Sequence, residues 1–129
     1  GNQYMEGAVS SYTGVSQTGF PDASNSGNVA NLSTSQTASV TTVAANAWQY
    51  AWFKNNGVCS SVDNDDNTAT DSIEATVADR AVASPGASTL VCNMVSSLNA
   101  GWISVSFAPV GAAVAANPFA ALVRALWIF

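Results

Sequence analysis

Ala100-Gly101-Trp102-Ile103-Ser104-Val105-Ser106-Phe107-Ala108-Pro109 is the stretch from which the fold is read. It alternates strictly: Trp102, Ser104 and Ser106 point to one side of an extended chain, Ile103, Val105 and Phe107 to the other. That period of two is the mark of a half-buried β-strand. Pro109 ends it, because a residue without an amide hydrogen cannot continue a central ladder.

Upstream, Ser88 to Val95 reads STLVCNMV, with Leu90, Cys92 and Met94 alternating against Val91, Asn93 and Val95. This is a second strand, and Ser96 to Ala100 is the turn that makes a hairpin of the two. Ala38 to Val43 (ASVTTV) and Ala47 to Lys54 (AWQYAWFK) are strands by their β-branched and aromatic content. In the latter, Trp48, Tyr50 and Trp52 share one face and Ala51 and Phe53 the other. The aromatic plate is read first as core packing, since aromatics dominate sandwich cores, and second as a platform for ligand stacking. Asn55-Asn56-Gly57 closes that strand with a hairpin-type turn signal.

Between these runs the patterning fades. Residues 16–37, rich in Gly, Ser, Asn and Asp with a Pro21-Asp22 turn signal, read as a long surface excursion. Residues 60–72 read as a second polar excursion, Ile73 to Val77 and Arg80 to Val82 as two short strands, and Ala83 to Ala87 as a turn. Asn31-Leu32-Ser33 has the form of an N-glycosylation acceptor.

The chain has 129 residues, 48% of them hydrophobic, which suits one domain with one core. Three basic residues, Lys54, Arg80 and Arg124, stand against eight acidic ones, and histidine is absent. Nucleic acid is not an expected partner, because phosphate binding needs clustered Lys or Arg. GNQYMEGAV shows no basic region ahead of a long apolar run, so no signal peptide is legible there. Cys59 and Cys92 are too few for a metal cluster without histidine; they read equally as a disulfide or as two buried thiols.

After Pro109 comes a small-residue linker. Asn117-Pro118 then opens FAALVRALWIF, with Asn as N-cap and Pro at the first helical position. Phe119, Leu122, Val123, Leu126 and Trp127 fall at helical spacing, while Leu126 to Phe129 reads equally as a strand added to a sheet edge. Eleven residues fall short of the roughly 20 that span a bilayer, so no membrane span is expected. Together with Ile128 and Phe129 these side chains are the expected subunit contact, since exposed apolar surface of this size marks interfaces.

One constellation has metal-ligand spacing. With Asp63 at position one of a calcium loop, Asp65, Asn67, Asp71 and Glu74 fall at three, five, nine and twelve. Thr68 occupies position six, where the sharp turn requires glycine, so a solvated acidic loop is the preferred reading and no cofactor is expected, calcium being the alternative. Catalysis finds no support: there is no histidine for a triad, no phosphate-cradling glycine loop and no base beside either cysteine.

Ser11-Tyr12-Thr13-Gly14-Val15, Pro21-Asp22-Ala23-Ser24, Ser39 to Ala44 with Ala47-Trp48, Ala83 to Ser88, and Trp102 to Pro109 occur in an order that resembles a known family. It is the lectin-like, concanavalin-type jelly-roll β-sandwich domains of bacterial secreted proteins and of phage tail and virion-surface proteins. The likeness spans about residues 4 to 110. It implies an antiparallel two-sheet sandwich used for adhesion, decoration or assembly, and it carries over no binding residues. The acidic loop, the apolar terminus and the lack of strands ahead of SYTGV depart from that pattern. A sandwich without its leading strands has open edges, to be filled by a neighbouring subunit, unless the chain is a piece of a longer protein.

The expectation is therefore an all-β, antiparallel two-sheet jelly-roll sandwich over residues 1–110, with a short apolar C-terminal helix or arm over 111–129. The expected function is a non-enzymatic structural subunit of an extracellular or virion-surface assembly, such as a filament, fibre, capsid or decoration protein. Its expected partners are copies of itself or other subunits. The alternative is a lectin-like module that binds surface glycans through Trp48, Tyr50 or Trp52, with calcium in the acidic loop.

Overall fold

The computed structural model describes residues 11–55, 57–70 and 75–111, with the backbone alone at 29–32, 55 and 97–99. The described residues contain no helix. They form six strands: β1 (Ala23–Thr42), β2 (Ala47–Asn55), β3 (Ser61–Asp63), β4 (Asn67–Thr70), β5 (Ala75–Val82) and β6 (Gly86–Phe107). The frame is the antiparallel ribbon of β1 and β6, two strands of 20 and 22 residues. Register shifts between Val29 and Ser33 and between Ser33 and Ser35 interrupt this ribbon. Irregularities of that kind bend strands. Here they divide the ribbon between two antiparallel sheets of five and three strands.

In the larger sheet, the second half of β6 lies between the first half of β1 and β2, followed by β5 and β4. In the smaller, the first half of β6 lies between the second half of β1 and β3.

Four expectations are corrected here. The surface excursion over residues 16–37 is mostly the strand β1. Its first half, ASNSGNV, has weak strand propensity, and pairing with the well-patterned β6 imposes the extended form. The hairpin between residues 88–95 and 100–109 does not exist, since both runs belong to the single strand β6. Asn55-Asn56-Gly57 does end β2, but β3 pairs with β6, and β2 pairs with β5 and β6, so no hairpin follows. Likewise, the two short strands of residues 73–77 and 80–82 are one strand over Ala75–Val82.

The inward side of β6 carries Trp102, Ser104 and Ser106 in its second half and Leu90, Cys92 and Met94 in its first. Against them pack Ala51 and Phe53 of β2, Ala78 of β5 and Ala38 of β1, and Phe53 and Leu90 are the largest fully buried apolar side chains. Gly27 faces Trp102 across the β1–β6 pair, and a Cβ there would stand 2.8 Å from the indole. A side chain at position 27 would displace the ring that closes this end of the core. Cys59 and Cys92 form a disulfide with an S–S distance of 2.03 Å, fastening the segment before β3 to β6. Of the two sequence readings, the disulfide is the observed one.

The other end of the sandwich-like body is polar. Two connections cross between the sheets there, residues 43–46 and 83–85, joined by the Asn46 amide donating to the Ala83 carbonyl at 3.1 Å. Asn46 has φ 55°, a left-handed conformation that asparagine tolerates. Buried Asp22 holds this end together. Its Oδ2 accepts the Val43 amide at 2.9 Å, the Ala44 amide at 3.4 Å and the Ser106 hydroxyl at 3.1 Å.

Candidate functional site

Because Ala51 and Phe53 take the inward side of β2, Trp48, Tyr50 and Trp52 must face outward. This corrects the reading of the aromatic plate as core. The physical reason lies opposite: Leu90, the disulfide and Ala38 already pack with Phe53 of β2 and, at the core's end, with Trp102 of β6. The aromatic triplet is half-buried on the outer face of the larger sheet. Phe107, Val105 and Ile103 of β6 flank it in register, with Ala81, Asp79 and Val77 of β5 on the other side.

The segment before β1 lies across one end of this face. Tyr12 places its ring 5.0 Å from Phe107, 6.0 Å from Trp48 and 6.4 Å from Tyr50, the last edge-on at 81°. Its hydroxyl donates to Asp79 Oδ2 at 2.9 Å. Phe20 stacks on Phe107 at 5.1 Å and 10°, yet 60% of it is exposed. Tyr12, Val15, Ser16, Gln17, Phe20 and Phe107 enclose a cleft of about 340 Å³. At the far end, Gly27, Trp52, Lys54, Gly101, Trp102 and Ile103 line an apolar hollow of about 260 Å³. Ile103 is 48% exposed there.

The acidic residues are spread over several elements. Asp63 is exposed at the end of β3, Asp65 accepts the Thr68 hydroxyl, and Asn67 on β4 donates to Asp79 Oδ1 at 2.9 Å. Asp66 accepts the Ala81 amide at 2.6 Å, which fastens the turn before β4 to β5. Asp71 and Glu74 lie outside the described residues, as do Phe119, Leu122, Val123, Leu126, Trp127, Ile128 and Phe129. Among the described residues no three histidine, cysteine or acidic side chains gather in a way that could hold a metal.

The chain matches no known family model, curated protein or solved structure. The arrangement is therefore read from its own chemistry. It offers stacking and apolar contact, and the described carboxylates Asp22, Asp66 and Asp79 are engaged in hydrogen bonds that hold backbone and side chains in place. Sequence reasoning overlooked Tyr12, Phe20 and Asp79. Phe20 stood in a stretch without periodicity, and nothing in the order of residues joined Tyr12 to a carboxylate 67 positions away.

Proposed function

We propose that the chain is a non-enzymatic structural subunit of an extracellular or virion-surface assembly, with a jelly-roll body that joins neighbouring subunits through its surface. The observation that carries this reading is the outer face of the five-stranded sheet. The outward side of a solvated antiparallel sheet alternates toward polar residues, whereas here it presents Trp48, Tyr50, Trp52, Ile103 and Phe107, with Phe20 exposed at its end. Half-buried aromatic residues flanked by exposed Ile103 and Phe20 belong in an interface. The Cys59–Cys92 bond agrees with an oxidising compartment.

The test is sedimentation velocity and electron microscopy of the full chain beside an Ile103→Lys, Phe20→Lys variant. Both substituted side chains are exposed, so the fold should be retained while large particles give way to monomers. A wild-type chain that sediments as a monomer at every concentration overturns the reading.

The cleft walled by Phe20, Phe107 and Tyr12, with Ser16 and Gln17 at its lining, favours the lectin-like reading as a second. A glycan array probed with and without calcium, silent in both, removes it.

A further inference from the structure

The second half of β1 is a sheet edge with no strand beyond it among the described residues. Among the described residues no strand lies beyond β1 in either sheet, so one strand of 20 residues forms the margin of both. Open edges invite strand addition, and proteins blunt them with short strands, prolines, charges or bulges. The other two edges follow that rule: β3 has three residues, the last of them Asp63, and β4 has four, with Asp65 and Asp66 between them. β1 follows it only at the irregularity between Val29 and Ser35. From Ala23 to Thr42 it contains no Asp, Glu, Lys, Arg or Pro.

Beyond the irregularity, Ser35 to Thr42 keeps unbroken register with Asn93 to Gly86. Val40, Thr37, Thr41 and Thr42 give this half the β-branched content that the first half lacks. Gln36, Ala38, Val40 and Thr42 are buried on its inner side, while Thr37 and Thr41 are exposed on the outer side with Ser39 between them. Such a surface selects its partner by charge. The chain carries a net charge of −5, so two copies repel, and the uncharged edge of β1 is where they meet with the least local repulsion.

We propose that Gln36–Thr42 pairs antiparallel with the same segment of a second copy, about a two-fold axis at Ser39. This rests on the subunit reading above and names its partner surface. In a two-fold pair with matching faces, facing residues have numbers with an even sum. An axis at Ser39 sets Thr37 of one copy opposite Thr41 of the other, Ala38 opposite Val40, and Gln36 opposite Thr42. These three pairs match in polarity. Moving the axis to Ala38 sets Gln36 against Val40, and moving it to Val40 sets Ala38 against Thr42. The Ser39 axis joins two three-stranded sheets into one of six strands, with Ala38 and Val40 carrying apolar contact across the seam and threonine hydroxyls facing each other outside.

The test uses the full chain. Its two cysteines are bonded to each other, so an added thiol reports alone. Ser39→Cys in a glutathione buffer is expected to give covalent dimers. Thr37→Cys is expected to cross-link only when mixed with Thr41→Cys, and Ala69→Cys on the exposed strand β4 is expected to stay monomeric. A Thr37→Lys, Thr41→Lys variant sets like charges opposite each other and should weaken association at least about tenfold, with an unchanged near-ultraviolet circular dichroism spectrum as the check on folding. Stronger cross-linking from Thr37→Cys alone than from Ser39→Cys overturns the axis. If Ser39→Cys stays monomeric and the lysine variant associates normally, while Ile103→Lys, Phe20→Lys dissociates, edge pairing is overturned and the subunit reading stands. A monomeric wild-type chain overturns both.

Discussion

The two ends of the core are held by different physics. Around Phe53, Leu90, Ala51, Ala78 and the Cys59–Cys92 bond, cohesion comes from apolar burial and a covalent tie. Around Gln49, hydrogen bonds do the work: its Nε2 donates to the Ala38 carbonyl at 3.2 Å and to the Ser104 hydroxyl at 3.0 Å, and its Oε1 accepts from Ser88 at 2.7 Å. Gln49 stands on β2, and its partners lie on β1 and on both halves of β6, so one buried amide joins the two sheets. Asp22 does the same for the connections beyond it. A core poor in large residues can thus be kept in a single arrangement by directional bonds, which satisfy one geometry and penalise others. The apolar end tolerates changes of shape; the polar end does not tolerate loss of a partner.

That contrast can be broken from either side. Phe53→Ala removes the largest fully buried side chain of the described core, and urea unfolding should show a loss of about 3–5 kcal/mol. Replacing Cys59 and Cys92 together with alanine releases a tie between residues 33 apart in sequence. Loop-closure entropy puts that loss at about 3–4 kcal/mol, measured as a lower unfolding midpoint than that of the oxidised wild type. The sharpest comparison places one residue type at both ends. Gln49→Met keeps the length of the side chain but strands the Ser88 hydroxyl and takes a donor from the Ser104 hydroxyl and the Ala38 carbonyl, and should cost about 2–3 kcal/mol. Leu90→Met should cost less than about 1.5 kcal/mol in the same titration. Equal costs would show that the polar end is held by packing like the other.

Much of this was legible in the residues, in uneven measure. The strands at Ala47 to Asn55 and within β6 declared themselves by alternation, and Pro109 marked an end. The disulfide was one of two readings and needed the fold to bring Cys59 within 5.3 Å of Cys92 between Cα atoms. Alternation says which residues share a face and leaves open which face is inside. For β2 the bulk of Trp48, Tyr50 and Trp52 pointed inward, and the packing of Phe53 with Leu90 decided otherwise. For β6 the inner side holds Ser104 and Ser106, which are at home there only because Gln49 and Asp22 bond them. Strand β1 was hidden for a related reason. Its Ser, Asn and Gly are residues of turns, and its extended form is imposed by a partner far along the chain.

That distance sets the tempo of folding. The ribbon of β1 and β6 joins Thr42 to Gly86, 44 residues apart, and Asp22 to Ser106, 84 apart. Ordering a long chain before any contact rewards it is slow, and proteins dominated by such pairings fold in milliseconds to seconds. Since β6 serves both layers, neither layer can be completed before the last quarter of the described chain arrives. On a ribosome, β1 would therefore wait, neutral and without its partner, until β6 emerges, and the interval in which it is bare is when a second nascent copy could capture it.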